Sequence, residues 1–511
     1  MGRIPPQVLR CVLFCPWCLI ANCLIWRSQP PTANRQHLPS MSFARILRSS
    51  ALMGGAQVVV LAAGFVRAKA IAVIIGASGV GLIGIFNVFS GNVATFAGWG
   101  LGTSGVRLIA GASEEEKPAK IAAVRRMGWM LSMLGLVMAL ALFWPVGVVT
   151  FDTNRYSVEM AIVAFAVPCI VAAYAWSAVL QASGKIASLA KVQVAGALAG
   201  LLLGLPAIWL WGTIGIALSI FFAASIPAAV LWRAASSIGK GRRAEQLDLS
   251  QLMKLGGALM LVGWMGQLSA YLVRLAIVRQ EGLDAAGYYQ AAFAMSGSLP
   301  GFVFAAMGAD FFPRVAAAKD EAEARSIAEK QILAGLLLGV PLIVAMLTMG
   351  KLGIRLLYAD TFDAATPLLE WMTWGVFARL IAWPLGYWMM ARRSPRAFML
   401  VEGVACILSM SLPVIFMDRM GLVGTAVGFF WAAILYAILL VCLLYRGSGI
   451  LPGAGTTKAV IIAAMAVYAC KWLSALSNHH YLALLSTMLA AIGSFWCYRC
   501  IIIKENEERA E

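Results

Sequence analysis

Of 511 residues, 61% are hydrophobic and only 12% are charged, a balance that excludes a soluble globular protein of this length. A formal charge of +17 would suggest a nucleic-acid partner in a soluble chain. Here the basic residues fall between apolar stretches instead, where they report membrane topology, and no nucleic-acid partner is expected.

Residues 1–40 carry one apolar run of about 14 residues, short for a span, followed by the loop-like stretch Gln29 to His37. They are expected to be an extension upstream of a native start at Met41; a signal-like segment or an extra helix is the alternative. Cys15-Pro-Trp-Cys18 has redox spacing but no βαβ context. Met1-Gly2 lacks the myristoylation pattern, since position 6 is Pro. Cys169, Cys406, Cys442, Cys470, Cys497 and Cys500 lie in or beside apolar spans and read as small core residues.

From Ser49 to Ile503 about 14 stretches of roughly 20 apolar residues follow one another. The expected fold is therefore an all-α polytopic membrane protein. The first long segment, Ser49 to Gly76, carries Arg67 and Lys69; its counterpart Leu255 to Gly282 carries Arg274. An Arg or Lys at the centre of a spanning helix costs about 2.5–3.5 kcal/mol, so such residues face water, an anion or the interface.

Alternate connections hold most of the remaining basic residues. Arg107 to Arg126, Arg233 to Lys254, Arg314 to Lys330 and Arg392 to Arg396 bracket one set, against only Arg155, Arg279, Lys351, Arg355 and Arg419 in the other. The positive-inside rule makes the richer set cytoplasmic, with both termini of the membrane core on that side.

The two long segments repeat at an offset of 206 residues. Gly76 falls on Gly282, Gly81 on Gly287, Ser90 on Ser296 and Gly102 on Gly308, while Arg67 and Arg274 miss by one residue. Six spans per copy make the halves parallel, related by an axis along the membrane normal around a central cavity. The expected organisation is an amino-terminal six-helix lobe at 41–238, a polar basic linker at 239–254 and a carboxy-terminal six-helix lobe at 255–447. Residues 448–511 add two further helices and a solvated tail.

At the first turn, Gly76-Ala-Ser-Gly-Val-Gly-Leu-Ile-Gly84 resembles the loop after the first helix of the O-antigen flippases, the Wzx-type polysaccharide exporters related to MATE transporters. Phe43 to Gly55 is similar to the first helix of that family, and Gly282-Leu-Asp-Ala-Ala-Gly-Tyr-Tyr-Gln290 to its matching second-half loop. The resemblance spans residues 41 to about 447 and implies a MATE-like fold. It also implies translocation of an undecaprenyl-pyrophosphate-linked oligosaccharide, an O-antigen or related repeat unit, from the cytoplasmic to the periplasmic leaflet of a bacterial inner membrane. A polysaccharide polymerase and a chain-length regulator are the partners it implies, beside the lipid-linked oligosaccharide and membrane lipids. The family usually shows about 12 spans; the last two here are similar to those of the 14-span lipid II flippases.

A path for a pyrophosphate needs fixed positive charge, and Arg binds phosphate oxygens bidentately. Arg67 and Arg274 are expected as a symmetric cationic pair facing one cavity, or else as residues snorkelling to the outer headgroups. Lys69, two positions from Arg67, cannot share its face and is the one expected to snorkel. Arg379 lies near mid-membrane with Trp383 at i+4, which suggests a cation–π pair or joint contact with a phosphosugar. Lys191 is a candidate for the cytoplasmic mouth. Asp310 and Glu402 are candidates for ion coupling, although a salt bridge such as Asp310 with Arg314 at i+4 is the use the spacing favours.

No GxxxxGK[ST] loop is present, and His37, His479 and His480 make no metal site with carboxylates. Neither cofactor, metal nor enzymatic activity is expected. An ion-coupled multidrug exporter of MATE type, or a flippase of the lipid II type, is the second reading; the exporter would want a carboxylate in the first span where Arg67 and Lys69 stand. A membrane glycosyltransferase or polymerase would need paired carboxylates, and only Asp360, Asp363 and Glu370 cluster, in what reads as a polar loop.

Overall fold

The computed structural model describes residues 43–236, 238, 250–448 and 453–476, together with 488, 490 and 493. The amino-terminal extension with its four cysteines, most of the linker, the three histidines, and Cys497 and Cys500 lie outside the described residues.

Within them the chain is all helical. In order, α1 is Phe43–Ile74, α2 Ala77–Ala97, α3 Leu101–Ala110, α4 Lys117–Phe151 and α5 Ser157–Ala182. Next come α6 Ile186–Leu202, α7 Gly204–Trp211, α8 Thr213–Ser236, α9 Ser250–Glu281 and α10 Leu283–Ala316. Last are α11 Glu321–Leu357, a 3-10 turn Asp360–Phe362, α12 Ala365–Arg392, α13 Pro395–Met420, α14 Leu422–Ser448 and α15 Ala454–Leu476. Ten segments among the described residues are long and apolar enough to cross a membrane, α6 and α7 counting as one. At 34, 28 and 23 residues, α10, α12 and α15 also have the length to span.

The packing follows membrane rather than aqueous logic. On α4 the large side chains Trp129, Met130, Met133, Leu134 and Val137 point outward, while Gly128, Ser132, Gly135 and Ala139 form the buried stripe. A methyl at Gly128 would lie 2.4 Å from Cβ of Ala175 on α5. Small residues let the helix backbones approach where no hydrophobic force drives association in lipid. Cys442 on α14 is exposed and Cys169, Cys406 and Cys470 are half-buried, so these cysteines are not the core residues expected, because outward positions in lipid tolerate apolar thiols.

Two compact units emerge. The larger comprises residues 38–291 and 355–362; the other takes 292–354 and 363 onward. The division falls within α10, not at the polar linker, so α9 belongs to the same unit as α1–α8. Its anchor is a close approach at the α2–α3 break, where Trp99 and Gly100 have φ of 47° and 64°. A methyl at Gly256 of α9 would lie 2.4 Å from the Trp99 carbonyl oxygen, and one at Gly100 2.5 Å from that of Gly256. Non-helical backbone at membrane depth survives only where protein or a cavity covers it.

The duplication appears in the geometry of this unit. Gly76 and Gly282, related by the 206-residue offset, both turn their chains through positive φ, 93° and 88°, which glycine adopts at little steric cost. Just beyond, a methyl at Gly81 would lie 2.6 Å from the Leu283 carbonyl oxygen, and one at Gly287 2.0 Å from that of Ala77. Each contact is the image of the other under the repeat. In the second unit the core joins α11, α12 and α14, with Trp388, Leu336, Val340, Ile343 and Leu380 fully buried.

Candidate functional site: a cationic cavity in the larger unit

Helical periodicity brings Gln57, Val60, Ala63, Gly64 and Arg67 onto one face of α1. That face borders a cavity of about 530 Å³, whose other walls include Tyr174 and Ser177 of α5, Leu189, Val192, Gln193, Gly196 and Ala197 of α6, and Ala223, Pro227 and Leu231 of α8. The volume is that of a small-molecule pocket, mostly apolar with a few polar groups. Arg67 is half-buried, and its Nη1 would lie 3.1 Å from a methyl at Gly200, so the bare glycine lets the guanidinium rest against α6. Ser177 gives its hydroxyl hydrogen to the Tyr174 carbonyl. No hydrogen bond or carboxylate among the described residues neutralises Arg67. A cation of this kind in a membrane-spanning helix leaves room for an anion.

Arg274 does not line that cavity. Its side chain is 3% exposed. Nη2 and Nε donate to Gln290 Oε1 at 2.8 and 3.3 Å, Nη1 to the Ala270 carbonyl at 3.0 Å, and the guanidinium lies 5.4 Å from the Tyr289 ring. The expectation of a symmetric pair is corrected by the repeat itself. Arg274 is 207 residues from Arg67, not 206, and one residue of slip turns a side chain about 100° around the helix. Val273, the true equivalent of Arg67, is buried.

Lys69 points away from the cavity, as expected from its position, and donates to the carbonyl of Leu356 at 2.6 Å. Lys191 is exposed and is not among the cavity residues; its neighbours Val192 and Gln193 are.

In the second unit Arg379 sits at the centre of α12 and is exposed. It does not pair with Trp383. The Arg379 guanidinium lies 5.6 Å from the Phe429 ring, whereas Trp383 stacks on Phe304 and Phe311 at 5.8 and 5.9 Å and meets Tyr387 at 4.3 Å. No carboxylate among the described residues forms a salt bridge with Arg379. Glu402, half-buried on α13, accepts a hydrogen bond from Tyr436 of α14 at 2.6 Å. The Asp310 side chain lies outside the described residues, and Arg314 is exposed.

The three carboxylates are all in ion pairs: Asp360 with Arg355 at 3.6 Å, Asp363 with Lys351 at 3.3 Å, and Glu370 with Lys471 at 2.6 Å. Each serves an ion pair, which leaves no free couple for acid–base chemistry among them. Among the described residues no group of three His, Cys, Asp or Glu could hold a metal.

The sequence did not single out Gln57, Tyr174 or Ser177. Their signal was available: Tyr174 and Ser177 are polar residues at i, i+3 in an otherwise apolar stretch.

An all-helical bundle with an unpaired arginine on the wall of a partly open cavity has the architecture of a multi-pass membrane protein. The family described as Polysaccharide biosynthesis protein matches residues 46–319, more than half of the sequence, and the chain belongs to that family. No curated protein matches it by sequence. Among solved structures, the lipid II flippase MurJ in its inward closed conformation is similar at 14% identity, over 89% of this chain and 100% of that one, with a TM-score of 0.70. An inward-facing multidrug resistance MATE family transporter of the MOP superfamily shares 13% identity over 84% and 99%, with a TM-score of 0.56. The MATE multidrug transporter DinF-BH shares 17% over 81% and 98%, at 0.53. At these identities the likeness shows the fold, which is MATE-like.

Proposed function

We propose that this protein is a flippase for a polyprenyl-pyrophosphate-linked oligosaccharide, an O-antigen or related repeat unit, moving it from the cytoplasmic to the periplasmic leaflet of the bacterial inner membrane by alternating access. The observation that carries the reading is Arg67, a cation without a counter-charge on the wall of a largely apolar cavity. A pyrophosphate supplies the missing anion, and the apolar wall suits a substrate that is part lipid. Family membership supports the same reading. The distribution of basic connections supports cytoplasmic termini for the membrane core. Arg379 is the second residue proposed to meet the substrate, and Glu402 with Tyr436 the candidate for ion coupling.

The test is movement of undecaprenyl-pyrophosphate oligosaccharide between leaflets of vesicles holding the purified protein, with a cationic dye as control. Translocation of the glycolipid that weakens in Arg67→Gln supports the reading. Dye efflux without glycolipid movement overturns it in favour of a drug exporter.

A further inference from the structure

One end of the larger unit is held by two polar ties that mirror each other. The last carbonyls of a helix lack internal partners and carry the negative end of its dipole. At the end of α4, Arg279 from the last turn of α9 donates Nε to the Val149 carbonyl at 2.8 Å and pairs through Nη1 with Asp152 at 3.0 Å. At the end of α11, Lys69 from α1 donates to the Leu356 carbonyl at 2.6 Å. Helices α1 and α9 are the first helices of the two halves, and α4 and α11 are their third spans. Each half thus sends a cation from its first helix to cap the third span of the other. Leu356 lies one residue from the repeat equivalent of Val149, and Arg279 one helical turn from that of Lys69.

Further contacts lie at the same end. The Tyr271 and Thr150 hydroxyls meet at 2.7 Å beneath the Arg279 tie. Phe362, fully buried, sits 5.5 Å from Tyr288 and 5.2 Å from Tyr358, which covers the start of α10. The ties themselves are solvent-facing: Asp152 is 81% exposed and Arg279 39%. Exposed ion pairs are weak and salt-sensitive, as suits contacts that must break in each cycle.

We infer that Lys69 and Arg279 are reciprocal latches between the duplicated halves, holding this end shut and parting when the substrate path opens there. The inference rests on the alternating-access reading above, yet its test needs no substrate.

The experiment uses full-length protein in vesicles, with native cysteines replaced and a cysteine placed at Ala286, which is 2% exposed beside the α2–α10 contact. Labelling by a membrane-impermeant maleimide is timed. In K69Q/R279Q the rate is expected to rise about fivefold, the lower range for a coupling between two conformations, and Arg279→Lys, which keeps the cation, is expected to stay near the parent. Equal rates in K69Q/R279Q and the parent overturn the inference, as does Arg279→Lys labelling as fast as Arg279→Gln. Should K69Q/R279Q fail to fold, Asp152→Asn and a rise to about 1 M salt on the parent replace it; faster labelling supports the latch and unchanged labelling overturns it. Faster labelling in a protein that moves no glycolipid leaves the latch standing and removes the flippase reading instead.

Discussion

Gly84 and Gln290 occupy equivalent positions of the duplication and meet each other: a methyl at Gly84 would lie 2.7 Å from Gln290 Oε1. Gln290 is part of what holds Arg274, whose own repeat equivalent is Ala68 and not Arg67. The second half supplies Gln290, whose Oε1 takes two hydrogen bonds from Arg274. The first half has glycine at the matching place and Ala68 where Arg274 would fall, so no such clamp forms there, while Arg67, one residue away, lines the cavity. The clamped arginine and the arginine of the cavity wall thus stand at different positions of the repeat, and are not diverged copies of one residue.

Gln290→Ala should therefore act on stability. It leaves the buried Arg274 guanidinium short of two acceptor contacts, at a cost of about 1–3 kcal/mol. Thermal unfolding of the purified protein should show a lower melting temperature, whereas an unchanged one would mean Arg274 is satisfied by its other neighbours.

The close approach at the repeat axis makes a second prediction. In Gly287→Ala a methyl would meet the Ala77 carbonyl oxygen at 2.0 Å, and backbone cannot step aside as a flexible side chain can. Overpacking of this kind costs roughly 1–3 kcal/mol. Gly297→Ala, with nothing within 4 Å of the added methyl, is the control and should keep the parent melting temperature.

Arg67 should behave in the opposite manner to Arg274. Because nothing in the described fold depends on its charge, Arg67→Gln should melt within about 0.5 kcal/mol of the parent, the usual range away from structural networks. Glycolipid movement should nonetheless fall about 10- to 100-fold, the worth of one charge-assisted hydrogen bond to an anion. A variant that melts early, with transport lost in proportion to folded protein, would reassign Arg67 to structure.

The all-helical fold was legible because apolar runs of spanning length leave little alternative, and the repeat was legible because Gly76 and Gly282 must both turn through positive φ. The cavity was not. Its walls are Ala, Gly, Val and Leu residues that read like any other span, and only their meeting in three dimensions makes them a lining. Arg379 shows a second limit: i+4 spacing places Trp383 on its face of α12, but ring stacking on Phe304 and Phe311 of α10 takes the indole elsewhere. Glu402 finds Tyr436 34 residues on, a partner that no local spacing rule could name.

Arg379 is the residue for which accessibility decides between roles. It is exposed at the centre of α12 and has no salt bridge among the described residues; a lipid-facing place would cost about 2.5–3.5 kcal/mol, so thiol labelling decides whether it meets water. A cysteine at 379 should react with a small hydrophilic thiol reagent, whereas one at buried Gly375, where an added Cβ would meet Phe429 at 2.7 Å, should not. A cysteine at Thr373, fully buried, should stay silent. Protection of position 379 by added polyprenyl pyrophosphate would place it in contact with the substrate. If position 379 instead resists reagents from both sides of the membrane, Arg379 serves its neighbours Phe429, Glu402 and Tyr436, and the anion path runs past Arg67 without it.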